Sequence, residues 1–174
     1  MKIMYPATIV VLLAAALPAS AAELPGQKPV LALFGFDLVS SSPEPVPSAE
    51  KVRLHMAGQE LARLLQDSGK YTVIDLTAEA ENIERSAMIM NCNGCELIPA
   101  RQAGATLAAY GWVQKVSNLI LNMNVVIKDA KTGAPLAFAG ADIRGNTDQS
   151  WRRGVKFIAE RLPSTSSDSG LSGR

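Results

Sequence analysis

An α/β domain, with helices packed on a mixed sheet of about five strands, is the architecture this sequence predicts, and three observations lead to it. Residues 107–144 hold three apolar runs separated by Ser117-Asn118 and by Asp129-Ala130-Lys131-Thr132-Gly133, the layout of an antiparallel meander. The middle run alternates: Leu119, Leu121, Met123, Val125 and Ile127 fall on one side, Asn122, Asn124 and Lys128 on the other. A period of two over that length describes a strand with one buried and one wet face. Upstream, strand, helix and strand patterns follow one another, as in a right-handed parallel crossover. The order becomes β–α–β–α–α–β–β–β–α, with flanking helices covering the apolar face of the C-terminal meander.

The chain opens with Lys2, an apolar run from Ile9 to Leu17 and the small residues Ala19-Ser20-Ala21. This reads as a signal peptide over residues 1–21, with an apolar run too short to span a membrane. No cysteine follows the expected cleavage point, so a lipid anchor is not indicated. A single domain is expected over residues 22–162, with a disordered tail over 163–174.

Val30 to Leu38 is a nearly continuous apolar run, suited to a strand covered on both faces. Ser40 to Pro47 carries three serines and three prolines, which excludes helix and ladder alike. Ser48 is a plausible N-cap, and Leu54, Ala57, Gly58, Leu61, Leu64 and Leu65 then recur at helical spacing until Ser68-Gly69. Tyr71 to Asp75 is β-branched and aromatic, a second strand. Short helices are expected from Thr77 to about Arg85 and from Glu96 to Ala103, with Pro99 in the first turn of the latter. After the meander, Thr147-Asp148 can start a last helix in which Trp151, Val155, Ile158 and Leu162 share a face, stopped by Pro163. Ser164 to Arg174 is serine- and glycine-rich, hence the expectation of disorder.

Charge narrows the function classes. The chain has 17 basic and 16 acidic side chains, and of these only Lys2 lies in the leader, so the exported part is balanced. That argues against a general nucleic-acid binder, which needs a basic surface. The positive mean hydropathy, +0.12, is inflated by the leader and does not indicate a membrane protein.

Cys92-Asn93-Gly94-Cys95 is the reactive constellation. In an oxidising compartment the pair is expected to close a structural disulfide, with dithiol exchange or metal binding as the alternatives. No histidine follows Cys95, so haem attachment is not indicated, and a zinc site would have His55 as its one further histidine. His55 itself reads as a helix-flank residue. Arg152, Arg153, Lys156 and Arg161 form a basic helix side, and Asp75, Glu79, Glu81 and Glu84 an acidic cluster; both read as solvated surface. Ser48-Ala49-Glu50-Lys51 and Lys131-Thr132-Gly133 resemble strings of penicillin-binding enzymes. No Ser-Asp-Asn element lies between them, and a cap and a turn explain them more simply. No catalytic residue, metal ligand or cofactor is assigned. The candidate binding surface takes the wet meander side chains Asn122, Asn124 and Lys128, with an outer rim near Trp112 and Trp151.

The strand ending Phe-Gly-Phe-Asp (34–37), the helix ending Ser-Gly-Lys-Tyr (68–71) and the strand Thr-Val-Ile-Asp (72–75) resemble the amino-terminal domain of the Tol-system protein TolB. They are also similar to related domains of curli-secretion and penicillin-binding-protein-activator lipoproteins. Cys92, Cys95, Gly111-Trp112-Val113, Lys115 to Asn118, Asp129 to Gly133 and Trp151 to Gly154 resemble shared features of a domain-of-unknown-function family of small exported bacterial proteins. The resemblance covers roughly residues 29–162. It implies a periplasmic accessory domain that works by contact with an envelope protein or small ligand rather than by catalysis. More loosely it implies a link to quinoprotein alcohol oxidation or the metal supply of those enzymes. A thiol–disulfide protein using Cys92 and Cys95 is the alternative.

Overall fold

The computed structural model describes residues 27–40, 45–78 and 88–163. They form β1 (Val30–Ser40), α1 (Ser48–Asp67), β2 (Thr72–Asp75), α2 (Leu97–Gln102), β3 (Leu107–Lys115), β4 (Ile120–Asp129), β5 (Pro135–Arg144) and α3 (Asp148–Arg161), plus a 3₁₀ turn at Ile89–Asn91. The helix expected from Thr77 is seen at Thr77 and Ala78, and its remainder lies outside the described residues, as do the leader and the tail from Ser164. The sheet order is β2-β1-β3-β4-β5. β1 runs parallel to both β2 and β3, and the rest is an antiparallel meander, in the order read from the sequence.

β1 is apolar on both faces because it is covered on both. Leu31 and Leu33 enter the core beneath α1 and α3, while Ala32 and Phe34 enter a second, smaller core on the opposite face. A register shift between Leu33 and Phe36 then inserts an extra residue at Gly35, whose φ of +75° suits glycine. The bulge brings Phe36 and Leu38 onto the helix-covered face and turns Asp37 to the other, where its Oδ2 accepts from Ile89 N at 2.9 Å. Phe36 crosses the neighbouring strand at Gly111. A Cβ there would overlap the Phe36 ring and come within 2.8 Å of Asn124 O.

α1 and α3 lie side by side on the main core. α1 buries Ala57, Gly58, Leu61 and Leu65, and α3 buries Trp151, Val155 and Ile158, with Leu162 just beyond its end. Thr147 caps α3, accepting from Ser150 N at 3.3 Å. The capping expected of Ser48 is corrected: Pro47 occupies the N-cap of α1, Ser48 is already helical, and no side chain caps that end. Glu50, in the first turn, is buried and pairs with Lys115 of β3, and Asn146 Nδ2 donates to it at 2.7 Å. At the far end Tyr71 is fully buried with its hydroxyl donating to Pro163 O, and burial pushes that phenol up to about 12.

Candidate functional site

Among the described residues the second face of the sheet is only partly covered, and that cover is built from residues 88–103. Asn93 and Gly94 both take positive φ, 54° and 105°, which asparagine and glycine tolerate best. That tight turn lets Cys92 and Cys95 close a disulfide with a Cα–Cα distance of 5.6 Å. The bridge joins the 3₁₀ turn to the start of α2. Ile89, Met90, Cys92, Leu97 and Ala100 thereby pack on Ala32, Phe34, Ala108, Tyr110 and Val126. Arg101 Nη1 ties α2 to Ala130 O at 2.6 Å.

Beneath the cover sits one charged pair. Glu96 is completely buried, and its Oε1 meets Lys128 Nζ of β4 at 2.8 Å. Lys128 also lies 5.0 Å from the centre of the Tyr110 ring. Burial works to lower the ammonium pKa, but the Glu96 and Tyr110 interactions outweigh it and hold Lys128 above its ordinary value. Glu96 Oε2 lies 3.8 Å from Cys92 Sγ, so a thiolate formed there would face a carboxylate, the opposite of the electropositive setting reactive thiols need. Cys92, Cys95 and Glu96 gather their ligand atoms within 4.8 Å, yet in the disulfide the sulfurs are not thiolates and Glu96 is committed to Lys128.

Beyond the cover no described residue lies over this face of the sheet. Tyr110, Trp112 and Phe138 form an aromatic run across it, with centroid spacings of 6.2 and 6.1 Å. Phe138 is 63 % exposed, and Leu136, two residues before it in β5, is exposed as well. Beside them Asn124 Nδ2 donates to Asn122 Oδ1, and Asn122 Nδ2 donates to Asp142 Oδ1 at 2.9 Å. Gly140 makes room for this ladder, since a Cβ there would stand 2.9 Å from Asn124 Oδ1.

The structure brings Trp112, Asn122 and Asn124 together on this face, as the sequence suggested, but corrects their setting. Asn124 is only 7 % exposed, enclosed by its ladder, and Lys128 lies under the cover rather than in water. Leu119, assigned to the inward set, lies in the β3–β4 turn and is exposed. Trp151 is not a rim residue: it is fully buried on the opposite face of the sheet, its Nε1 donating to Asn146 Oδ1 at 2.9 Å. Phe138, Leu136, Asp142 and Glu96 escaped the sequence reading. The signal for the first two was a size alternation in β5, where Leu136 and Phe138 interleave with Ala137, Ala139 and Ala141.

The two penicillin-binding strings stand at opposite ends of the sheet. Asp129, ahead of Lys131, aligns through Leu107 with Leu31 at the start of β1, whereas Ser48 follows Ser40 at its end. A cleft of about 420 Å³ gathers His55, Asp37 and Thr77, but the Thr77 hydroxyl donates to Asp75 Oδ1 at 2.6 Å. Of the acidic cluster Asp75 is seen in that role, and Glu79, Glu81 and Glu84 lie outside the described residues.

The fold is shared with solved structures at low identity. The PelC dodecamer from Paraburkholderia phytofirmans superposes with a TM-score of 0.51 at 15% identity, covering 75% of this chain and 84% of that one. LpoB from E. coli gives 0.50 at 14%, covering 84% and 81%. TolB from Acinetobacter baumannii gives 0.41 at 14%, covering 74% of this chain and 26% of that one. Among curated proteins none matches. Residues 29–162 match a family model, and the chain belongs to the family described as "Protein of unknown function (DUF2380)".

Proposed function

We propose that this protein is an exported, non-enzymatic accessory protein of the cell envelope that acts by docking another protein on its open sheet face. The observation that carries the reading is the aromatic run that passes from buried Tyr110 through half-buried Trp112 to exposed Phe138, beside the fixed Asn122–Asp142 ladder. An exposed aromatic backed by half-buried ones, with a satisfied polar rim, is what protein interfaces are built from. The leader read in the sequence supplies the compartment, the periplasm. No helix among the described residues is long and apolar enough to cross a membrane.

The family resemblance offers a first partner class, a quinoprotein alcohol dehydrogenase or a protein supplying its metal. One structure of similar fold is a dodecamer, so a second copy is the competing partner. The test is co-purification from periplasmic extract with the wild-type chain, Trp112→Ala and Phe138→Asp, each confirmed to melt like wild type. Loss of the same captured protein in both variants supports the reading. Equal capture by all three, or capture of nothing, removes it.

A further inference from the structure

A second surface lies around the corner from the aromatic face, where β5 forms one edge of the sheet. A groove of about 650 Å³ is lined by every residue from Gly140 to Arg144, together with Ser150, Arg153, Gly154 and Phe157 of α3. Side chains of consecutive strand residues point to opposite faces, so five in succession can line one groove only if its floor is the backbone edge of the strand. The wall opposite is α3. Gly154 lets the helix approach closely, since a Cβ there would already stand 3.2 Å from Ile143 Cγ1.

The strand's proline and its register shift lie at its start, away from the groove, and the segment from Leu136 to Ala141 carries no charge. What flanks the groove is cationic. Arg153 on the helix wall and Arg144 at the strand's end have no carboxylate partner among the described residues, while Asp142, which also lines the groove, is engaged by Asn122. Arg161 is stacked 4.0 Å from the centre of the Phe157 ring farther along the helix.

We infer that this groove takes up an extended, acidic polypeptide segment of a partner protein by strand addition: the segment's backbone pairs with the edge of β5 that no described strand occupies, its carboxylates meet Arg144 and Arg153, and its apolar side chains rest on Phe157. A strand edge running beside a helix supplies what this mode needs, main-chain partners for affinity and a side-chain wall for selection. The groove shares Gly140 and Asp142 with the margin of the aromatic face, but Trp112 and Phe138 take no part in it, so the two surfaces can be tested apart.

The probe is a fluorescein-labelled decapeptide of alternating valine and aspartate, titrated with the full chain and followed by anisotropy. A valine–lysine counterpart and two versions N-methylated at complementary alternate amides complete the set. Saturable binding of the aspartate peptide is expected, about tenfold or more tighter than the lysine peptide. One N-methylated version should weaken by about tenfold, because it loses its main-chain donors. Arg144→Glu with Arg153→Glu should reverse the charge preference, and Trp112→Ala should leave binding unchanged. Equal affinity for both charge types overturns the inference, as does indifference to N-methylation. So does a chain dimer that the two arginine substitutions dissociate, which assigns the edge to a second copy. Binding that appears only after removal of residues 164–174 assigns the groove to the chain's own tail.

Discussion

Replacing Lys128 with methionine isolates the polar clamp under the cover. Lys128 keeps most of its stem buried and carries the cation for Glu96, whose carboxylate is wholly removed from solvent. Methionine preserves the stem's packing but strands the charge. Removing one partner of a buried pair costs ~3–5 kcal/mol, a large share of the ~5–15 kcal/mol that holds a typical domain folded. Glu96→Gln made together with Lys128→Met removes both charges, so most of the loss should return, and the cycle measures the coupling. Urea unfolding at pH 7 reads both the loss and its recovery. A loss below ~1 kcal/mol in the single variant, or no recovery in the double one, would refute the assignment of a buried, paired carboxylate.

The Cys92–Cys95 bridge closes so small a loop that chain entropy assigns it only ~2 kcal/mol, so the double alanine variant should stay folded, with the loss read by urea titration. If it is the inert clip its surroundings suggest, its reduction potential will lie well below the poise of the compartment, and a value near those of oxidoreductases would favour exchange instead. Gly111→Ala should cost ~1–3 kcal/mol, because a methyl there displaces the Phe36 ring and meets the Asn124 carbonyl, and thermal melts check it. Trp151→Ala should cost ~3–5 kcal/mol, whereas Trp112→Ala should cost less, separating the fully buried tryptophan from the half-buried one.

The strands were legible where a face alternates cleanly. Leu121, Met123, Val125 and Ile127 show their burial by period alone, and Val30 to Leu38 shows its central place by lacking a polar face. The α3 face read correctly for the same reason, yet the same periodicity does not distinguish a tryptophan at the core from one at a rim. Trp151 needed the position of α1 to be known. The partial cover was illegible because it depends on one disulfide turn meeting Lys128 from another part of the chain. Once Glu96 is placed there, a lysine that looked wet becomes part of a clamp. The bulge at Gly35 had a cue in its glycine, but its consequence, turning Asp37 toward Ile89, exists only in three dimensions.

Docking through the open face is tested most directly by a photo-crosslinking residue placed at Phe138 in living cells, with the same residue at His55 as a control exposed on the helix side of the sheet. The expected result is one discrete adduct with another envelope protein from position 138 and none from position 55. Adducts of equal yield from both positions, or a chain recovered uncrosslinked and unaccompanied from both, would contradict it.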